Sequence, residues 1–438
     1  MTHSSSKRTL ALASLLVALS AACSSAPPRR LVILAGRLVD GTGAPVRERQ
    51  RIVIEEGSII AVEPDAGETL AQPDTVVIDA RGETVLPGLI NAHTHLFSPG
   101  GCEAGAGAGL GAAVRNLHAL RDAGVTVAAD LGAPAVAAVG LRRWVGTARH
   151  RGPRVMVAGP LLVAPGGYYM TGILEGKLVK NGTVREVASP EEARAIVREL
   201  ADADVDLIKV GLPPLEGVTL CALVDEAHTQ ELRVLAHAVA NRTYAAALAC
   251  KVDGLAHGVF EPLEPATLAR LKTAGVTVAP TLSDAQGGAF LPASMMAGVP
   301  RGRTAKAAAD GLTSTRAMHE AGVPLAMGTD GGFCMNPLGS PLPELERLVA
   351  AGLTPLEALA AATTGSARLI GLDEALGRIA PGYRGDILTV AGRPDERIGD
   401  IAAVRHVILD GVEQERGAAH WYDTPLAGMS VLWAWLGG

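Results

Sequence analysis

The chain has 438 residues, of which 48% are hydrophobic and 19% are charged, and its formal net charge is −6. This length allows one large core and a smaller second domain. The slightly acidic balance excludes a typical nucleic-acid-binding protein, which would carry a basic face. Only 3% of the residues are aromatic, and the abundance of alanine and glycine suits small-residue helices packed closely on short strands.

The first 22 residues have the features of an export signal. Lys7-Arg8 gives a positive start, and Leu10–Leu19 is an apolar run too short to span a membrane comfortably. Small residues then lead to Cys23, a pattern that resembles a bacterial lipoprotein signal in which this cysteine is lipidated. Ordinary signal cleavage nearby is the alternative. We predict an exported periplasmic or outer-membrane-associated bacterial protein, anchored through Cys23, with residues 23–30 as a linker.

Two β-rich segments flank a long middle region. Residues 31–85 alternate short apolar runs with turns, and Glu56-Gly57 has the composition of a hairpin turn. Residues 376–415 repeat this character, so we predict that both segments form one composite β-sandwich domain. The tail, residues 416–438, holds three of the four tryptophans. It is expected to pack on the main domain, rest at a membrane interface or form a dimer contact, and the sequence does not choose among these.

The middle region, residues 86–375, alternates strands with helices. Ser189-Pro190 and Thr354-Pro355 each begin a helix, with glutamate at the third helical position as in a capping box. Such alternation predicts an α/β fold, a (β/α)8 TIM barrel, while an open doubly wound sheet is the alternative. No G-x-G-x-x-G sequence follows the first strand to support that alternative. The eight predicted strands are Leu89–His95, Val125–Gly132, Arg154–Gly159, Val205–Gly211, Arg233–Ala238, Gly254–Gly258, Val276–Leu282 and Pro324–Asp330.

Polar side chains end several of these strands, where a barrel gathers its functional groups. His93 and His95 are spaced i, i+2, so they lie on the same side of the first strand. Imidazole and carboxylate ligands without thiolate suit Zn²⁺, Mn²⁺, Co²⁺ or Fe²⁺ at a catalytic site rather than a closed structural zinc site. The complete set of candidates is Lys209, inside the fourth strand, together with the strand-end residues His93, His95, His237, His257 and Asp330.

Lys209 lies inside an apolar strand, where a charged ammonium is costly. Burial should lower its pKa and populate the neutral amine. A neutral amine can add CO₂ and become a carbamate, an anionic group with two oxygens that bridges two cations. Without that modification, a lysine beside metal ions would be repelled.

Together these residues resemble the amidohydrolase superfamily in order and strand position, over about residues 30 to 412. The sequence motif Leu86-Pro-Gly-Leu-Ile-Asn-Ala-His-Thr-His also resembles that superfamily. Leu120-Arg-Asp-Ala-Gly-Val-Thr, Asp253-Gly-Leu-Ala-His-Gly and Ala279-Pro-Thr-Leu resemble its imidazolonepropionase-like group, in particular the Xaa-Pro dipeptidase (prolidase)-type members. Imidazolonepropionase itself is mononuclear and lacks the lysine, so Lys209 favours a binuclear site.

The resemblance implies a role for each ligand. His93 and His95 would bind one metal, His237 and His257 the second, and carboxylated Lys209 would bridge both. Two zinc ions are expected, with Mn, Co or Fe as alternatives. They would activate a bridging hydroxide and polarise the substrate carbonyl. Catalytic Asp330 would also bind the first metal and pass the proton of the water to the leaving amine.

Substrate contacts are less defined because the chain departs from its relatives. Val239 stands where prolidase-like enzymes often have Tyr or His. Arg242 is either a bidentate clamp for a substrate carboxylate or a solvated charge at a helix start. Tyr168 and Tyr169, in the loop after the third strand, either contact the substrate or serve packing or a mobile lid.

The cysteines other than Cys23 are too few for a disulfide framework in a chain of this size. Cys221 and Cys250 lie in helical stretches and are interpreted as core residues. Cys102 and Cys334 follow the first and eighth strands, which are neighbours in a closed barrel. They either form a disulfide over the metal site or remain two thiols.

We therefore predict a metal-dependent hydrolase that cleaves an amide bond, in a dipeptide or an N-acyl amino acid. One alternative is hydrolysis of a cyclic amide or lactone by the same site. Another is a non-catalytic metal-dependent binding protein. The expected partners are a small-molecule or dipeptide substrate and a second copy of the chain in a homo-oligomer, without nucleic acid.

Overall fold

The computed structural model describes residues 30–67, 74–98, 109–146, 152–167, 181–213, 215–283, 301–332 and 338–417. Within these ranges, no helix is both long and apolar enough to cross a membrane. The predicted signal peptide and nearly all of the tail lie outside the described residues. So do the predicted site residues Cys23, Cys102, Tyr168, Tyr169 and Cys334.

Strands and helices alternate through most of the chain. The strands are β1 Arg30–Leu38, β2 Arg47–Glu55, β3 Ser58–Pro64, β4 Thr75–Pro87, β5 Leu89–Thr94, β6 Val125–Asp130, β7 Arg154–Val157, β8 Leu161–Val163, β9 Val184–Glu186, β10 Leu207–Gly211, β11 Arg233–His237, β12 Gly254–Ala256, β13 Thr277–Ala279, β14 Ile387–Val390, β15 Val404–Leu409 and β16 Val412–Glu413. The helices are α1 Leu110–Asp122, α2 Ala135–Val145, α3 Pro190–Asp202, α4 Gly217–Thr229, α5 Asn241–Ala249, α6 Pro265–Ala274, α7 Arg301–Glu320, α8 Leu342–Ala350, α9 Pro355–Ala360 and α10 Ser366–Leu369, with a π-helical turn Ala361–Gly365 and a 3₁₀ helix Ile398–Ala402.

The two ends of the chain build one sheet together. Its order is β16-β15-β14-β4-β1-β2-β3, and β14 pairs antiparallel with β4. The hairpin turn at Glu56-Gly57 has positive φ at both residues, as the type of turn that matches strand twist requires. Within the described residues these strands form a single sheet, where we expected a sandwich. Register shifts in three of its strand pairs bend the sheet locally and enclose one apolar cluster.

The middle region contains two parallel sheets. One has the order β5-β6-β7 and the other β13-β12-β11-β10-β8-β9. The third predicted strand, Arg154–Gly159, is shorter in the structure, where β7 ends at Val157 and pairs with β6. The strand β8, which pairs with β10, lies beyond the predicted range. The short strand β9 was not predicted. The remaining strands lie within the predicted ranges, and all of them end earlier than predicted except β10, which ends at the predicted residue Gly211.

The eighth predicted strand, Pro324–Asp330, is not a regular strand, which corrects the prediction. It nevertheless hydrogen-bonds on both sides, since Ala326 N–H donates to Val278 O and Ala92 N–H donates to Met327 O. The segment does not form a continuous ladder of backbone hydrogen bonds, because some of its N–H groups donate to groups outside the neighbouring strands. Thr329 N–H donates to the side chain of Asn91, and Met327 N–H donates to the π-helical turn.

Helix α4 and the end of helix α5 are joined by a disulfide between Cys221 and Cys250. The sequence interpretation treated both cysteines as core residues, which agrees with their packing in the main apolar cluster, but it did not predict that they are bonded to each other. Cys250 is indeed buried, but it follows the last residue of α5, where the chain turns back toward α4. The spacing of 29 residues gives no hint of this proximity, because it depends on the packing of two helices.

Candidate metal centre

The six predicted ligands come from five separate segments of the chain, and the structure brings them together. Lys209 Nζ lies 3.0 Å from His93 Nε2. The carboxylate Oδ1 of Asp330 lies 3.2 Å from His93 Nε2 and 2.9 Å from His95 Nε2. The rings of His237 and His257 have centroids 4.2 Å apart, and those of His93 and His257 4.8 Å. The histidines and Asp330 lie at or near the carboxyl ends of their segments, and Lys209 lies in the middle of β10, so the parallel strands bring them together.

Burial is nearly complete at this cluster. Lys209 is 2% exposed, and the four histidines and Asp330 are also buried. Two of the residues have unusual backbone: His257 has a φ of 87° and Asp330 a φ of 52°. Non-glycine residues in the left-handed region are uncommon and concentrate at functional sites.

Burial favours the neutral form of three of the histidines and of the lysine. Burial lowers the pKa of His237 to about 3 and those of His93 and His257 well below the ordinary value of 6.5. Burial also lowers the pKa of Lys209 to about 7, although Asp330 opposes this shift. Neutral imidazole is the form that binds metal ions.

Asp330 behaves in the opposite way to an isolated buried acid. Burial alone would raise its pKa, but the surrounding imidazoles, first His93, hold that pKa well below the ordinary value. The residue is therefore an anion surrounded by imidazole rings.

This donor set fits a divalent cation. Ligand atoms of His93, His257 and Asp330 all lie within 4.8 Å of one another. Imidazole nitrogens with one carboxylate and no thiolate match the preferences of zinc and of similar catalytic metals. His95, His237 and Lys209 surround this trio and would supply the further ligands.

Arg242 lies apart from the cluster. It is the second residue of α5, its side chain is 69% exposed, and its guanidinium pairs with Glu216 at 2.5 Å. Both residues follow the carboxyl ends of neighbouring strands, β11 and β10, on the same edge of the sheet as the histidines. The role of Arg242 as a carboxylate clamp therefore stays a prediction.

Several supporting residues were not identified from the sequence. Thr281 Oγ1 lies 2.8 Å from His257 Nδ1. The buried Asn91 side chain accepts N–H groups from His93 and Thr329, and so joins the first strand to the segment that carries Asp330. Asp130 accepts the N–H of Leu96, directly after His95. For Asn91 the sequence does carry a signal, because a polar residue within an apolar strand indicates a buried hydrogen-bonding role.

Comparison with known proteins places this geometry in a family. The model of the amidohydrolase family matches residues 84–413. Imidazolonepropionase of Chromobacterium violaceum is 30% identical over 390 residues, which cover 79% of this chain and 86% of that enzyme. An uncharacterized protein of Mycobacterium tuberculosis is 29% identical over 353 residues, which cover 76% of this chain and 84% of that protein.

Solved structures agree with the sequence comparison. A Xaa-Pro dipeptidase with methionine bound in its active site superposes with a TM-score of 0.76 at 26% identity, covering 88% of this chain and 100% of that one. A prolidase complexed with N-methylphosphonate-L-proline gives a TM-score of 0.72 at 27% identity, with coverage of 88% and 100%. The chain therefore belongs to the amidohydrolase family and is an imidazolonepropionase- and prolidase-like metal-dependent hydrolase.

Proposed function

We propose that this protein hydrolyses the amide bond of a dipeptide or an N-acyl amino acid at a binuclear centre. The observation that carries the proposal is Lys209, which is buried against His93 Nε2 at 3.0 Å. An ammonium in that place would face the cations, whereas a carbamate would offer two anionic oxygens to them. We therefore assign His93, His95, His237, His257 and Asp330 as ligands, with carboxylated Lys209 as the bridge, in a barrel closed by Pro324–Asp330.

The metal ions would supply Lewis acidity, lowering the pKa of a water molecule and polarising the substrate carbonyl. Asp330 is the proton carrier: its carboxylate is ionised and central, so it can accept a proton and return it to the leaving nitrogen. The buried walls keep bulk water away from this transfer.

An arginine beside the site favours a substrate that carries a free carboxylate. Arg242 and Glu216 form an exposed ion pair on the loops after β11 and β10. A substrate carboxylate can replace Glu216 as the partner of the guanidinium at little cost, since exposed pairs contribute only about 0–1 kcal/mol. The solved prolidase relative with a bound proline analogue supports a substrate that ends in a free carboxylate.

Export remains part of the proposal. The Cys221–Cys250 disulfide supports it, because disulfides persist in oxidising compartments and are rare in the cytosol of most organisms.

The test is a hydrolysis screen read by mass spectrometry. A soluble form that begins at Arg30 is loaded with Zn²⁺ or Mn²⁺ and bicarbonate, and its metal content is measured. Dipeptides, N-acyl amino acids, hydantoins and lactones are then offered, with Asp330→Asn as the inactive control. Cleavage limited to substrates with a free α-carboxylate is expected. Turnover of cyclic substrates alone would contradict the proposed substrate, and binding of fewer than two metal ions would contradict the role of Lys209.

Arg242→Ala should separate binding from chemistry. We expect KM for carboxylate-bearing substrates to rise about tenfold or more while kcat changes little, as for a lost charge-assisted contact made equally in the ground and transition states. Arg185→Ala removes a different exposed ion pair, with Glu199, and is the matched control.

A further inference from the structure

Thr281 occupies a position from which it can control one ligand of the centre. Its hydroxyl oxygen lies 2.8 Å from Nδ1 of His257, and both residues are buried. We propose that Thr281 is a positioning residue that fixes the orientation and the protonated nitrogen of His257, and that Glu344 holds Thr281 in place. This inference rests on the proposed metal centre and concerns residues outside the ligand set.

The direction of the hydrogen bond defines the tautomer. When Nδ1–H of His257 donates to Thr281 Oγ1, the proton is on Nδ1 and the lone pair is on Nε2. Metal-binding histidines are commonly fixed in this manner, with the second ring nitrogen donating to an outer partner. Asp330 is the other acceptor near Nδ1, but its Oδ2 is 3.7 Å away, which is too long for a hydrogen bond.

The backbone of Thr281 shows that its position is imposed. Its φ is 48°, in the left-handed region that β-branched residues strongly avoid. Such a conformation persists only where the surroundings enforce it. Glycine or asparagine would adopt this backbone conformation with less strain, but neither has a hydroxyl group to contact the imidazole of His257.

Glu344 enforces this conformation from helix α8. One of its carboxylate oxygens accepts the N–H of Leu282 at 3.0 Å, and the other accepts the N–H of Ser283 at 2.7 Å. These are the two residues directly after Thr281. Glu344 is completely buried. The loop after β13 is thus fixed to helix α8 by two buried side-chain hydrogen bonds.

The backbone of His257 is held independently of Thr281. Its N–H donates to Ala279 O at 2.8 Å, and its carbonyl accepts the hydroxyl of Tyr244 at 2.7 Å. Removing the Thr281 hydroxyl should therefore release the ring while the strand end stays in place. Tyr244→Phe provides the complementary change, because it loosens the backbone and leaves the ring contact intact.

The experiment compares Thr281→Val, Thr281→Gly and Thr281→Ser with the wild-type protein. Zn²⁺ affinity is measured by competition with a chelator, Co²⁺ spectra report ligand geometry, and unfolding of the metal-free protein reports stability. Valine retains the strained β-branched shape and glycine relieves it, but both lack the hydroxyl. We expect both to lose about 10- to 100-fold in Zn²⁺ affinity with altered Co²⁺ spectra, while serine restores binding.

The outcomes are distinct. Wild-type Zn²⁺ affinity in both Thr281→Val and Thr281→Gly would overturn the inference while the proposed function stands. An affinity loss that follows the stability of the metal-free protein, or that serine fails to restore, would also overturn it. A wild-type protein that binds no Zn²⁺ or Co²⁺ would overturn the proposed function, and this inference with it.

Discussion

Glu344 makes the stability of the protein depend on pH. Burial raises its pKa to about 7 from the ordinary value of 4.5, although the backbone N–H groups of Ser283 and Leu282 oppose this shift. The native state thus binds the proton more tightly than the unfolded state. The protonated Glu344 therefore contributes most to the unfolding free energy below pH 4.5, and this contribution is lost as the pH rises through about 7. Over that window we expect Glu344 to remove on the order of 3 kcal/mol of unfolding free energy.

Urea unfolding of Glu344→Gln and wild type between pH 5 and 8 measures this effect. The glutamine variant should be about 1 kcal/mol less stable than wild type at pH 5 through its missing hydrogen bond. Because it lacks the decline that Glu344 causes, this difference should shrink or reverse by pH 8. Glu346→Gln changes an exposed carboxyl in the same helix and should keep the wild-type profile. Parallel profiles for wild type and Glu344→Gln would refute the assignment.

Gly328 provides space for the first metal ligand. A Cβ atom there would lie 2.8 Å from the Cβ of His93 and 3.3 Å from that of Ala279. Gly328→Ala should therefore displace His93, with a stability loss of about 1–3 kcal/mol and reduced metal content. Gly399→Ala, where no atom lies within 4 Å of the added Cβ, is the control for glycine replacement. Full metal binding by Gly328→Ala would show that the site tolerates the shift.

At the scale of single residues, the sequence predicts the metal ligands better than it predicts the residues that hold those ligands in place. His93 and Asp330 stand at the ends of apolar runs, so their types and positions are informative. Glu344 carried a weaker signal: it lies three and four residues from Pro341 and Leu348, on the buried face of α8. Its partners are backbone groups of a loop 61 and 62 residues earlier, which no local pattern can indicate.

At the scale of elements, periodicity predicts strands where the ladder is regular. The segment Pro324–Asp330 fails this test because side chains and a π-helical turn take part of its hydrogen bonding. The predicted helix starts at Ser189 and Thr354 are confirmed. Thr354 and Glu357 form the reciprocal capping box, whereas Glu192 reaches the N–H of Ala188 instead of Ser189.

The disulfide between α4 and the end of α5 should contribute substantially to the free energy of unfolding. Cross-linking two cysteines 29 residues apart restricts the unfolded chain by about 3–4 kcal/mol in the loop-entropy description. We expect Cys221→Ser/Cys250→Ser to lower the urea midpoint correspondingly, and reduction of the wild type to bring it to the level of the variant. If the reduced wild type kept its midpoint, the disulfide would not constrain folding.

At the scale of the whole molecule, the composite sheet joins the two ends of the chain beside the parallel strands. The pairing of β14 with β4 places residues about 300 positions apart in register, for example Leu86 with Leu388. The sequence permitted this prediction because both segments have the same alternating character. It could not show that the result is one sheet, since that depends on bulges and on which faces are covered.

Arg154 links the parallel strands to that composite sheet. It begins β7, and its guanidinium contacts Asp410 and lies 3.5 Å from Asp386, which is buried. Burial raises the pKa of Asp386, and Arg154 opposes the shift. Arg154→Met should cost about 2 kcal/mol of unfolding free energy near neutral pH, because a buried carboxylate loses a partner. The exposed Arg185–Glu199 pair is the control, and Arg185→Met should cost less than about 0.5 kcal/mol.

The pH dependence distinguishes this explanation from a simple loss of packing. Without Arg154, the pKa of Asp386 should rise further, so protonation would remove much of the penalty in acid. The destabilisation by Arg154→Met should therefore be smaller at pH 5 than at pH 8 when both are measured by urea unfolding. Arg154 begins its strand at the end opposite to the histidines, so Zn²⁺ affinity should stay at the wild-type level. An equal loss at both pH values would mean that lost packing, and not the charge of Asp386, sets the cost.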